Sequence, residues 1–273
     1  MQAFAPRGYA ELEGIAEGSG LSLPQVWSMN ALTDLRDVAA FNDAATWAVR
    51  PDNEGCSAFM VPPSRSPADA GLCGQTWDLS TDNMPFVCLV HRKPDEGPTT
   101  LCLTTVGCLS LIGMNEEGLS IGTTNLRTTD ARVGVCYLDC IHAALAETDV
   151  EAAVQKIEGA RRAGAHYFYF MDAEGQGMAL ECSATEAVRR PLGTEAYVHC
   201  NHALEDKVAA CEAQGTPLAS TEFRQVRLTN LLSGHVDVAT AMRAMADQEG
   251  GTKAICRHDY DGTSSNASVI MDP

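Results

Sequence analysis

Val26, Met29, Leu32, Leu35 and Val38 recur every three or four positions, a helical period. They follow Ser22 and Pro24, which suit an N-cap and a first helical turn, so one long helix is predicted to end before residue 42. From residue 57 the pattern shortens. Residues 57–61, 72–77, 86–91, 100–105, 109–112 and 119–124 are short runs rich in apolar, β-branched and aromatic side chains. They predict a meander of about six strands, with Asn115-Glu116-Glu117-Gly118 as one of its turns. Helical spacing returns at 135–146 and, behind Thr148 and Asp149, at 150–157. Strands resume at 167–171, 178–182 and 197–199, with Asp172-Ala173-Glu174-Gly175 as a turn. Helices at 222–232 and 236–246 and a final strand at 267–271 complete the chain. Blocks of strands joined by hairpin turns, with helices between the blocks, predict an α+β fold of stacked antiparallel sheets with helices outside. The expected architecture is a four-layer αββα sandwich, a single domain over residues 1–273.

With 273 residues, 45% of them apolar, the chain can bury one large core. The stretch from Pro62 to Pro67 is too short for a tether and reads as a hairpin loop. A formal charge of −17 argues against nucleic acid or an anionic membrane as partner. No apolar run is long enough to cross a bilayer, and the first seven residues lack the apolar core of a signal peptide. A cytoplasmic location is expected. The eleven cysteines are odd in number, and many sit inside apolar patterns, as buried thiols do in a reducing compartment. No pair has C-x2-C spacing, and Cys136 and Cys140 share a predicted helix without a second pair. No metal or cofactor is expected.

One cysteine stands apart. Asp52-Asn53-Glu54-Gly55-Cys56-Ser57 places a thiol at the boundary between the helical segment and the first strand. A cysteine there can be one more buried strand residue. It can also attack the preceding carbonyl, for which Gly55 would give the backbone freedom. Hydrolysis of the resulting thioester would leave Cys56 as a new N-terminus. Its α-amine, with an ordinary pKa of about 7.7–8.0, would serve as base for its own thiol.

The surrounding motifs narrow the choice. Gly55-Cys56-Ser57, Gly74-Gln75-Thr76-Trp77-Asp78, Gly113-Met114-Asn115-Glu116-Glu117-Gly118-Leu119, Asn125 and His199-Cys200-Asn201-His202 occur in that order. So arranged, the sequence resembles the acyl-coenzyme A:6-aminopenicillanic acid acyltransferase family, also called the C45 peptidases, from about Tyr9 to the C-terminus. Gly14-Ile15-Ala16-Glu17-Gly18 and Ile255-Cys256-Arg257 also resemble family segments. The resemblance implies the N-terminal-nucleophile hydrolase fold, with self-cleavage between Gly55 and Cys56 into a propeptide, 1–55, and a catalytic segment, 56–273. The two fragments would stay associated.

The same resemblance implies roles. Cys56 is the nucleophile and Asp78 the carboxylate beside its ammonium. Asn201 supplies a side-chain oxyanion donor and Asn125 a backbone N–H. Related amidases carry an arginine three positions before the aspartate, where this chain has Gln75, so a cation for the thiolate is either missing or supplied from elsewhere. The functional arginine that the family places just before its last strand is not matched at Asp261-Gly262-Thr263. Arg224, Arg227 and Arg257 are candidates to bind a carboxylate or to help self-cleavage. A papain-like pairing of Cys56 with His199 or His202 is the competing reading of the base. The expected activity is hydrolysis of the amide bond in a small N-acylated amine or amino acid. Acyl transfer to an amine, with a coenzyme A thioester as possible co-substrate, is the first alternative. A catalytically silent binding homologue is the second.

Overall fold

The computed structural model describes residues 1–42, 55–67, 70–213, 218–260 and 262–273. Three helices open the chain: α1 (Pro6–Ser19), α2 (Leu23–Asn30) and α3 (Leu32–Asn42). Pro6 starts α1, and Gly20 ends it in the left-handed region at φ 72°. The Ser22 N–H donates to Gln25 Oε1 at 2.9 Å across the first turn of α2. The single helix expected here is two. Buried Asn30 donates to Val26 O (2.9 Å) and Gly107 O (3.1 Å) and accepts from Leu109 N (2.7 Å). Those bonds tie the end of α2 to a distant loop, and the chain restarts as α3 after Ala31.

The strands divide into two antiparallel sheets. β1 (Gly55–Val61), β2 (Leu72–Ser80), β10 (Tyr197–His199) and β11 (Thr263–Met271) make a four-stranded sheet in the order β10-β1-β2-β11. The remaining strands are β3 (Val87–Arg92), β4 (Thr100–Thr105), β5 (Ile112–Asn115), β6 (Ser120–Asn125), β7 (His166–Met171), β8 (Gly177–Cys182) and β9 (Ala187–Pro191). They pair in sequence order as a seven-stranded sheet. The expected six-strand meander is therefore split after β2, where a short 3-10 turn, Thr81–Phe86, carries the chain to the second sheet. The strand expected at 109–112 starts at Ile112 instead, because Leu109 N and O are taken by Asn30 and Thr104 side chains.

Four layers result, as the pattern predicted. α4 (Tyr137–Ala144) and α5 (Val150–Glu158) pack Ile141, Leu145, Val154 and Ile157 on Ile121, Phe168, Phe170 and Leu180 of the seven-stranded sheet. A one-turn helix, α6 (Asp206–Ala209), follows β10. α7 (Leu218–Leu231) and α8 (Val238–Met245) bring Leu228, Ala241 and Met245, with Leu232 just past α7, onto Phe59, Val61 and Val198 of the four-stranded sheet. Between the sheets lie Ala58, Met60, Cys73, Trp77, Ile112, Tyr167 and Tyr169, closed at one end by Leu12 of α1 and Val26 of α2. Strand alternation thus turns Cys56, Ala58 and Met60 toward the other sheet and Ser57, Phe59 and Val61 toward α7 and α8. Gln75 fastens the sheets together: its Nε2 donates to Thr123 O at 2.8 Å, and its Oε1 accepts from Thr123 N at 2.7 Å.

All eleven cysteines are unbridged. Burial pushes the thiols of Cys108 and Cys182 up to about 11 and about 12, which keeps them as inert core groups. Among the described residues no helix is long and apolar enough to cross a membrane, and no acid, histidine and cysteine cluster has the makings of a metal site.

Candidate active site

β1 lies between β2, the next strand in the chain, and β10, from far along it, and its first residues are held by the register with β2. Gly55 lies opposite Asp78 and Cys56 opposite Trp77 on β2. Cys56 is buried and borders a cavity of about 40 Å³ shared with Thr33, Gly55, Asp78, Leu111, Asn125, Tyr137, His166 and Asn201. Such a space holds one or two waters.

Asn201 joins the predicted residues. It sits in the bend after β10, its N–H fixed on Thr221 Oγ1 of α7 at 2.7 Å. Its Oδ1 accepts from the Cys56 backbone N–H at 2.7 Å and from Arg224 Nη2 at 2.9 Å. Its Nδ2 donates to Asn125 O at 3.0 Å, which leaves its second N–H available for a developing oxyanion. One side-chain amide thus bridges Cys56, Asn125 and α7.

Asp78 belongs to the sheet face opposite the Cys56 thiol, since its register partner is Gly55. It therefore addresses the 55–56 backbone, and the Cys56 N–H itself goes to Asn201. Asp78 Oδ1 accepts from Ser265 Oγ of β11 at 2.5 Å, and Oδ2 lies 3.4 Å from Arg257 Nε. Burial pushes its carboxyl up to about 6, against the pull of Arg224, Arg257 and the Ser265 hydroxyl.

Two arginines stand at the start of β1, on the face that carries Ser57 and Asp78. Arg224 is fully buried. Its guanidinium donates to Cys56 O, to Ser57 Oγ (3.1 Å) and to Asn201 Oδ1. Arg257, six positions before β11, donates to Ser220 Oγ of α7 at 2.7 Å and faces Asp78. Arg227, on the outer side of α7, pairs instead with Asp247 (2.7 Å) and Glu249 (2.8 Å).

These guanidinium groups also explain Gly55. A Cβ there would stand 3.0 Å from Arg257 Nη2 and 3.2 Å from Arg224 Nη2. Gly55 is a strand residue without positive φ, so what a side chain there would meet is the close approach of two guanidinium groups, not a backbone conformation reserved for glycine.

Neither expected histidine faces the thiol. His199 Nε2 bonds Glu181 Oε2 at 2.8 Å, its Nδ1 lies 2.9 Å from Cys200 O, and its ring stacks on Tyr167 at 3.9 Å. His202 Nδ1 is 2.9 Å from Thr221 Oγ1. The imidazole that does border the cavity is His166, on β7 opposite Asn125. Nothing in its apolar strand marks it in the sequence.

Two antiparallel sheets packed face to face, with helices on both outer faces, make the fold of N-terminal-nucleophile hydrolases. The structure is similar to the Caenorhabditis elegans N-acylethanolamine-hydrolyzing acid amidase ortholog, at TM-score 0.54 and 13% identity over 80% of this chain and 92% of that one. It is also similar to a mutant of conjugated bile acid hydrolase from Clostridium perfringens, at TM-score 0.53 and 12% identity over 80% and 86%. At such identities these likenesses speak for the fold. Curated protein sequences give no match. Residues 65–271 match the family model of acyl-coenzyme A:6-aminopenicillanic acid acyl-transferase, and the chain belongs to that family. It is accordingly an amide hydrolase or acyltransferase that acts on acylated amines. The matched segment begins after Cys56, so the place of the nucleophile is argued from β1 itself.

Proposed function

We propose that the chain cleaves itself between Gly55 and Cys56, and then hydrolyses the amide bond of a small N-acylated amine or amino acid through a Cys56 thioester. The observation that carries this reading is the Asn201 amide, with Oδ1 on the Cys56 nitrogen and Nδ2 at Asn125. A nitrogen held that way is poised to become a terminal amine, and an amide at that place can serve the oxyanion.

In the first stage the Cys56 thiol adds to the Gly55 carbonyl, and the peptide nitrogen leaves as the α-amine after taking a proton. Water then hydrolyses the thioester to a Gly55 carboxylate and a free Cys56. In the second stage the α-amine takes the thiol proton, and the thiolate attacks the substrate carbonyl. The oxyanion is met by Asn201 Nδ2 and the Asn125 N–H. The resulting ammonium, close to Asp78, returns its proton to the departing amine, and water releases the acid. Ion pairing with Asp78 favours the ammonium in that step. The similar structures are named for hydrolysing N-acylethanolamine and conjugated bile acid, which favours hydrolysis over transfer. Transfer to an amine, with a coenzyme A thioester as acyl source, would share the same thioester.

Intact-mass measurement of purified protein tests the first stage without a substrate. Wild type should resolve into fragments 1–55 and 56–273, and Cys56→Ala should remain one chain with no turnover. A wild type that is intact and active would refute the mechanism.

A further inference from the structure

Among the described residues, four that border the Cys56 cavity carry a buried polar atom without a hydrogen-bond partner: Thr33 Oγ1, Asp78 Oδ2 (which faces Arg257), Asn125 Oδ1 and His166 Nδ1. His166 is the best placed of them to read a ligand. Its Nε2 lies 3.1 Å from Asp34 Oδ1, and both side chains are almost fully buried, at 4% and 2% exposure. A carboxylate only accepts hydrogen bonds, so Nε2 carries a proton, and in the neutral form of the ring Nδ1 then keeps a lone pair. Two aromatic rings pack against it: Tyr137 stacked at 4.5 Å and 16°, and Phe168 tilted at 5.8 Å. Asp34 is fixed in turn, because its Oδ2 accepts the Tyr137 N–H at the first turn of α4 at 2.8 Å. A buried acceptor with no partner is costly unless something fills the place. In the empty pocket a water can do so.

Resting on the proposed function above, we infer that the Asp34–His166 pair is a substrate-reading subsite, whose Nδ1 accepts a hydrogen bond from the N–H of the amide that Cys56 attacks. His166 is the cross-strand partner of Asn125, the residue placed at the oxyanion. Both residues border the cavity of about 40 Å³ that Cys56 and Asn201 share. The subsite is built from both sides of the Gly55–Cys56 bond. Asp34 and Thr33 lie on α3, before the cut, and His166 and Asn125 lie after it. Fragment 1–55 is then a working part of the mature enzyme. The subsite also separates amides from esters, since an ester has no N–H to give.

The test uses processed protein, confirmed by mass, with two fluorogenic probes of one acyl group: the 7-amino-4-methylcoumarin amide and the 4-methylumbelliferyl ester. His166→Phe keeps the flat ring and removes the acceptor. It should raise KM for the amide roughly fivefold to tenfold, the effect of one lost neutral hydrogen bond, and change KM for the ester less than twofold. His166→Asn, whose carbonyl can stand near the place of Nδ1, should restore part of the amide KM. Should the Phe variant fail to fold, the Asn variant carries the comparison, with an amide KM near that of wild type and an unchanged ester. Equal losses on both probes, no change on either, or a selective loss that Asn does not rescue would overturn the subsite. Wild type that turns over neither probe would count against the amidase reading itself. The subsite is then judged by adding acetamide to ¹⁵N-histidine-labelled protein. A shift of the His166 Nδ1 signal upholds it, and none at saturating acetamide overturns it.

Discussion

α5 and α7 cover opposite outer faces of the sandwich with the same helical spacing and different chemistry. On α5 the buried residues are Val150, Ala153, Val154 and Ile157. On α7 they are Thr221, Arg224 and Leu228. α5 serves its sheet only as apolar cover. α7 packs Leu228 against its sheet and turns the Thr221 hydroxyl toward Asn201 and the Arg224 guanidinium toward the first residues of β1. A buried cation is tolerable only where acceptors surround it, and Arg224 has them in Cys56 O, Ser57 and Asn201. Polar cargo on an otherwise core-facing helix marks the end of the molecule where the candidate site lies.

Substitutions on the two helices should break that contrast in different ways. The largest effect is expected for Arg224→Met, which strips the donor from Cys56 O and Asn201 and leaves Asp78 with one cation fewer. Self-cleavage should slow by at least about 10²-fold, read as intact mass against time. Unfolding by urea should show a loss of about 3–5 kcal/mol, the cost of breaking a buried charge cluster. Asn201→Ala, assayed on processed protein, should lower kcat by roughly 10²–10³ with little change in KM; an unchanged kcat would remove it from the mechanism. Ile157→Ala on α5 should cost about 2–5 kcal/mol of stability while processing and kcat stay at wild-type values. If it slowed processing as Arg224→Met does, the contrast between the helices would collapse.

The smallest effect is a pH limb. Asp78 stays protonated up to about 6, so kcat/KM should rise with pH through that value if its anion steadies the Cys56 ammonium, and Asp78→Asn should flatten the rise. Stability responds in the opposite sense. The folded state holds this proton more tightly than the unfolded chain does. The contribution is full below the unfolded value of 3.8 and is lost as pH rises through about 6. Thermal melts at pH 4.5 and 7.5, with and without Asp78→Asn, measure it.

Much of the fold was legible because each layer has its own period. Short apolar runs bounded by Gly118 and Gly175, both at positive φ, mark hairpins that formed where expected. The division into two sheets was not legible, since β1 and β2 gain their outer neighbours, β10 and β11, from far along the chain. β9, Ala-Val-Arg-Arg-Pro at a sheet edge, lacks the alternation that betrays a strand. At the site, Cys56, Asn125 and Asn201 come together around one amide, and Asp78 joins them through Gly55. Arg224 and Arg257 were only names among several, because a helical arginine has no local signal of which way it faces. His166 was hidden by the apolar strand around it.

The closeness of Gly55 to Arg224 and Arg257 has a kinetic consequence. Hydrolysis at this bond would create a carboxylate anion on Gly55, directly beside two guanidinium groups. The new chain end would be its own first inhibitor, held at the mouth of the cavity until thermal motion or added salt pulled it away. Maturation would then show a lag. The mass would change first and turnover would follow, and raising ionic strength would shorten the gap without altering the rate of the cut.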